Sequence, residues 1–156
     1  MREDVIFFSK PLHELPFYLD LVGISYCDGN YKMSRADSRT TVLEYIVSGT
    51  GTLTVNEKNY TPKRGDVYLL RQGTRHHYHS SAEDPWVKIF FNIQGSLAET
   101  ILDEYQWGET VLIKNANMEQ EFRAMLERTS DPTRTRAEIY DRMTVDFLET
   151  VIKLRR

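Results

Sequence analysis

The sequence predicts a mainly-β domain, an antiparallel sandwich or barrel, with α-helices behind it. Three observations predict it. Between Thr41 and Ser80, short runs of β-branched, aromatic and aliphatic residues are separated by Gly and Asn turn signals. After Asp84-Pro85, the stretch Trp86 to Ile93 is nearly all apolar, the pattern of a strand buried on both faces. Beyond Asn115, apolar residues recur at helical spacing.

Residues 1–16, broken by Pro11 and Pro16, read as an N-terminal arm with a short strand at Val5–Phe8. Phe17 to Cys27 reads as a strand, with Gly23 marking a bulge or a close backbone approach. Asp28-Gly29-Asn30 is a turn, and Tyr31 and Met33 then lead to Arg35. Strands are expected at about 41–48, 50–55 and 59–62, with turns at Ser48-Gly49 and Asn56-Glu57. Gly65-Asp66 opens a further strand, Val67–Leu70; a turn through Gly73 returns the chain along Arg75–Ser80. Ser96 is placed to cap a helix over 97–105, and Thr110–Ile113 is a short strand. Asn117 is expected to cap a helix over 118–129, and a long helix runs from about 134 to the end.

A chain of 156 residues fits one domain, burying roughly 70% of its unfolded surface. Net charge is −3 and pI about 5.8, with no basic cluster before Arg155-Arg156, a poor match to DNA phosphates. A single cysteine, Cys27, rules out an internal disulfide and fits a reducing compartment. With neither a signal peptide nor an apolar run of membrane-spanning length, a cytoplasmic location and no membrane partner are expected.

The stretch GDVYLLRQGTRHHY, with Gly65, Gly73 and His76 at their expected spacing, resembles the second motif of cupin jelly rolls; Arg71 stands where Pro is usual. Glu44 and Gly51 keep the end of the first motif, but Asp37 and Arg39 (or Ser38 and Thr40) replace its His-x-His pair. The fold class is therefore read as mainly β, a cupin-type jelly-roll barrel with C-terminal α-helices. The metal-site signal is lost. On a strand, His76 and Tyr78 face one way and His77 and His79 the other, so at most one histidine joins Glu44 inside. No metal and no cofactor are expected, because a transition-metal site needs three or four converging ligands.

LEYIVSGTGTL, YTPKRGDVYLLRQGTRHHYHSS and DPWVKIFFNIQG, in this order and spacing, resemble the N-terminal effector-binding and dimerisation domain of AraC/XylS-type transcription regulators. The resemblance covers nearly the whole chain. It implies a single effector-binding domain over 1–156: an arm (1–16), a barrel (17–114) and a helical dimerisation segment (115–156). It also implies a helix-turn-helix DNA-binding domain downstream, the only route to DNA, and a small-molecule effector, a carbohydrate or related polar molecule.

A sugar pocket needs hydrogen-bonding groups on an interior face and an aromatic platform. Alternation puts Trp86, Lys88, Phe90 and Asn92 on one side of their strand and Glu44, Ile46 and Ser48 on one side of theirs. The resemblance implies ligand positions at Ser25, Arg35, Tyr78, Lys88 and Phe90; Glu44, His76 and Trp86 complete the candidate set. Lys88 either favours an acidic sugar or pairs with Glu44 as an internal ion pair. Trp86 is either a stacking platform or a core residue.

Two function classes stay open: a ligand-sensing regulatory domain, and a stand-alone cupin enzyme such as a sugar isomerase, epimerase or metal-dependent oxygenase. The regulator class is preferred, and with it no enzymatic activity. On the last helix, Tyr140, Met143, Phe147, Val151 and Leu154 form one apolar arc, and Val145, Leu148 and Ile152 a second. Arg142, Asp146, Glu149 and Lys153 are expected on the solvated face. Two arcs predict a homodimer whose interface draws on Tyr140, Met143, Phe147, Leu148, Val151 and Ile152, with the 118–129 helix as the alternative partner for the second arc.

Overall fold

The structure is a computed structural model that describes residues 1–155. Within them lie ten strands, in order β1 (Arg2–Phe7), β2 (Tyr18–Tyr26), β3 (Lys32–Arg35), β4 (Thr41–Ser48), β5 (Gly51–Val55), β6 (Lys58–Tyr60), β7 (Val67–Leu70), β8 (His76–Ser80), β9 (Val87–Gln94) and β10 (Leu112–Ile113). Three helices accompany them: α1 (Leu97–Glu104), α2 (Glu119–Thr129) and α3 (Arg136–Leu154).

The strands form two antiparallel sheets, ordered β1-β2-β9-β4-β7-β10 and β3-β8-β5-β6. No strand ladder joins the sheets among the described residues, so the expected closed barrel is a two-sheet sandwich with edges at β1/β3 and β6/β10. Period-2 alternation divides its residues between two cores. Leu43, Tyr45, Val67, Leu69, Ile89, Phe91 and Ile93 turn outward from the larger sheet and meet the helices. Ile46, Tyr68, Leu70, Leu53, Tyr78 and Trp86 fill the space between the sheets. The molecule is thus helices, sheet, sheet.

The turns follow their local chemistry. Asn56 and Glu57 both take positive φ, as a two-residue hairpin turn requires. Several element ends differ from expectation. The strand expected at Val5–Phe8 begins earlier, at Arg2, and β1 pairs with β2 from Arg2↔Tyr26 to Phe7↔Leu21. Gly23 marks close approach rather than a bulge, since a Cβ there would collide with the Asp4 carbonyl and Val5; the register shift lies at Leu19/Leu21. Ser96 makes no side-chain capping bond. Met118, not Asn117, precedes α2, and the Asn117 amide donates to the Asn115 carbonyl instead. Thr135 and Glu138 close a capping box at the start of α3.

Helix α3 contradicts the wheel in two respects. Asp146 is buried, held by Arg128 of α2 at 2.9 Å and by Arg142 at 3.0 Å. Tyr140, Met143, Phe147 and Val151, expected at a dimer interface, are buried within the protomer against the larger sheet and the other helices. Val145 is exposed and Leu148 and Ile152 are half-buried, so the second arc alone keeps a surface for another chain. Helix α2 lies on the Asp146–Thr150 side, where Thr150 Oγ1 donates to Met125 Sδ. No helix among the described residues is long and apolar enough to cross a membrane.

Candidate functional site

Register aligns the inner face of the larger sheet into rows. Ser25, Lys88 and Ile46 form one row; Gly23, Phe90, Glu44 and Tyr68 the next; Leu21, Asn92, Val42 and Leu70 the third. Opposite them, Arg35 pairs with His76, and Met33 with Tyr78, in the β3–β8 ladder. Between these faces lies a cavity of about 130 Å³, lined by Arg35, Glu44, His76, Tyr78, Phe90 and Asn92 with apolar neighbours.

Of the eight expected ligand residues, Arg35, Glu44, His76, Tyr78 and Phe90 line this cavity. Ser25, Trp86 and Lys88 do not. Ser25 Oγ is buried and donates to Glu3 Oε2 at 2.8 Å. Trp86 is a core residue: its indole N–H donates to the Pro62 carbonyl at 3.0 Å and its ring meets Tyr78 edge-on. It fills the space where the sheets close on each other, which rules out a stacking platform.

Lys88 resolves the choice left by its sequence position. Its ammonium donates to Glu44 Oε2 at 3.0 Å and to the Tyr68 hydroxyl at 3.3 Å, and Tyr68 donates to the same carboxylate. The rings of Tyr78 and Tyr31 lie 4.2 and 4.8 Å from the ammonium, within cation–π range. Burial pulls the Lys88 pKa down, but the Glu44 charge and the tyrosines beyond it outweigh that and hold it above the ordinary lysine value. Lys88 is therefore a charged, internally saturated group beneath the cavity, and it neutralises the carboxylate that lines it.

His76 is buried, and burial, then the charges of Arg35 and Lys88, push its imidazole down to about 4. At neutral pH it offers one donor and one acceptor and no charge. His77 and His79 point away, His77 to Ser34 Oγ at 2.6 Å and His79 to the Gly29 carbonyl at 3.0 Å. Among the described residues no three His, Cys, Asp or Glu side chains converge on a point. Cys27 is buried and its thiol is pushed up to about 12, chiefly by burial, a core residue rather than a nucleophile.

Glu3 is the charged lining residue that sequence reasoning missed. It sits in the segment read as an arm, and only the β1–β2 register, which pairs Glu3 with Ser25, brings its carboxylate to the rim. Tyr31, Leu21 and Met33 were missed likewise, whereas Asn92 was legible from alternation with Phe90. Arg35 and Glu3 come from the edge strands of opposite sheets, so a cation and an anion flank the cavity at its β1/β3 side.

With 14% identity, the chain is similar in fold to the protein YhaK from Escherichia coli (60% of this chain, 45% of that one, TM-score 0.49). It is also similar to the Cnp3 cupin domain of Schizosaccharomyces pombe (14% identity, 69% and 72%, TM-score 0.46). A curated relative, the Msm operon regulatory protein of Streptococcus mutans, is 30% identical over 86 residues, 55% of this chain. The match spans 31% of that relative's length. Residues 18–142 match the AraC-like ligand binding domain, four-fifths of the chain, and the chain belongs to that family.

Proposed function

We propose that this chain is the effector-sensing domain of a bacterial transcription regulator. Its effector is a carbohydrate or related small polar molecule held between the two sheets, and DNA binding belongs to a helix-turn-helix part outside this sequence. One observation carries the reading. The inter-sheet cavity combines a carboxylate (Glu3), a guanidinium (Arg35), a neutral imidazole (His76), an amide (Asn92) and a phenol (Tyr78) with the Phe90 ring. Sugars ask for that mixture, with hydroxyls at their edges and C–H groups on their faces. At about 130 Å³ the space is smaller than the ~300–1,000 Å³ of drug-sized sites, which favours a single small ring.

A thermal-shift screen of monosaccharides, disaccharides and sugar acids tests this. A ligand at ~100 times its Kd adds about 2.7 kcal/mol of stability. With the binder in hand, Arg35→Ala should weaken it by about 1.5–3 kcal/mol in calorimetry, the scale of a hydrogen bond to a charged group. The far-UV circular dichroism should stay unchanged, because Arg35 is exposed at the end of β3. Unaltered affinity would place the pocket elsewhere.

A second reading, a metal-free sugar epimerase, draws on the neutral His76 imidazole, a candidate base beside the same cavity. Incubating the binding sugar with protein in D₂O distinguishes the two: an enzyme exchanges a carbon-bound proton, and a sensor leaves the NMR spectrum unchanged.

A further inference from the structure

We propose that Thr74 and Arg71, neither of which lines the inter-sheet cavity, fix His76 as its Nδ1–H tautomer, so that Nε2 accepts a hydrogen bond from the effector. This rests on the sensing reading above and adds the group the effector must carry at that point, an O–H or N–H donor.

A count of protons assigns the tautomer. The Thr74 hydroxyl has one proton, and it goes to the Arg71 carbonyl 2.8 Å away, which can only accept. Thr74 Oγ1 also lies 3.5 Å from His76 Nδ1, at the long end of hydrogen bonding, and only its lone pairs remain for that nitrogen. Nδ1 therefore carries the ring proton, and Nε2 is the acceptor. The ring is neutral at pH 7, as an acceptor must be.

Nε2 has no hydrogen-bond partner among the described residues. No fully enclosed side-chain nitrogen or oxygen there lacks one, so Nε2 meets open space. His76 faces inward from β8 with Tyr78 and Ser80, and the space on that side is the cavity.

Thr74 acts this way because its turn is held from two sides. The Gly73 amide donates to the Ser38 carbonyl at 2.6 Å, and the Ser38 amide to the Thr74 carbonyl at 3.3 Å. Arg71, where the sequence departs from the second cupin motif, is the other anchor. Its Nε donates to Glu99 Oε1 at 2.9 Å, its Nη2 to Asp103 and its Nη1 to the Gly108 carbonyl at 3.1 Å. Helix α1 and the segment after it thus hold the turn that orients His76.

Arg35, the cross-strand partner of His76, offers only donors. The cavity therefore sets a donor beside an acceptor. A hydroxyl suits both, since it accepts one hydrogen bond and gives another. A carboxylate, phosphate or ether oxygen satisfies Arg35 but not Nε2.

Two-bond ¹H–¹⁵N NMR of histidine-labelled protein at pH 7 reads the tautomer with no ligand present, the His76 signal being assigned by its absence in His76→Asn. His76 should show the Nδ1–H pattern. Thr74→Ser should keep it, and Thr74→Val, with no acceptor opposite Nδ1, should move it toward the Nε2–H pattern. Arg71→Gln should move it the same way with the far-UV circular dichroism unchanged. An Nε2–H pattern in the wild type, or one indifferent to Thr74→Val, would overturn the assignment. An unshifted pattern in a folded Arg71→Gln would overturn the anchor. Calorimetry of glucose, galactose and their monodeoxy derivatives then tests the donor match. Removing one hydroxyl of the binding hexose should weaken it about tenfold in the wild type and much less in Thr74→Val. A penalty equally large in both would overturn the match while leaving the sugar pocket standing. No binding by any sugar of the screen would overturn the carbohydrate reading and the match together, and the tautomer would still stand or fall by NMR.

Discussion

Lys88 Nζ lies 3.0 Å from Glu44 Oε2, with side chains 1% and 4% exposed, between the two sheets. A pair this deep has forfeited most of its hydration, so its contribution depends on both charges being present.

Replacing one partner exposes that dependence. Lys88→Met leaves a buried carboxylate with only the Tyr68 hydroxyl, and should cost about 3–5 kcal/mol in urea unfolding. Adding Glu44→Gln, which removes the orphaned charge, should recover most of the loss. A double variant no more stable than Lys88→Met would show that the pair acts through packing and not through charge.

His76 should make stability fall in mild acid. Its folded-state pKa, about 4, lies below the unfolded value of ~6.5, so between these pH values the unfolded chain binds more protons. The stabilisation is complete above ~6.5 and is lost as pH falls toward 4. Its slope is at most ~1.4 kcal/mol per pH unit, reduced by water at the cavity. NMR should find the His76 imidazole still neutral at pH 5.5, and His76→Asn should flatten the pH dependence of the urea midpoint. An unchanged slope in the variant would refute this role.

Asp146 joins α2 to α3 through Arg128 and Arg142, whose own side chains are 40% and 50% exposed. Asp146→Ala frees two arginines that can turn to water, so the loss should be about 1.5–3 kcal/mol, the scale of charged hydrogen bonds. Glu149→Ala, on the exposed face of the same helix, should change stability by less than ~0.5 kcal/mol. Equal effects would mean that the Asp146 bonds add nothing to the packing.

The half-covered arc of α3 is expected to pair two copies about a two-fold axis. Sedimentation at tens of micromolar should give about twice the 18.3 kDa chain mass. Leu148→Asp with Ile152→Asp should give a folded monomer, whereas Phe147→Asp, at a fully buried position, should lose the fold. A monomeric wild type would refute the pairing.

Much of the site was legible because its signals are local. Alternation put Glu44 and Ile46 on one side of β4 and Lys88, Phe90 and Asn92 on one side of β9, the sides that face the other sheet, and turn chemistry delimited β4 to β8 closely. What each of these groups meets was not legible. Period 2 assigns a side chain to a face, but only the register between β2, β9 and β4 stacks Lys88 one row from Glu44 and withdraws its charge from any ligand. Likewise the wheel of α3 gave angles and not partners, so Asp146 read as solvated until Arg128 arrived from α2. Glu3 reaches the cavity rim through a β1–β2 pairing that spans some twenty residues of intervening chain. The sequence by itself determined most of the strands, the alternation of their faces and the family resemblance. Only the tertiary structure decided which charges are spent within the protein and which stay free, because ion pairing depends on distances between segments that no local pattern encodes.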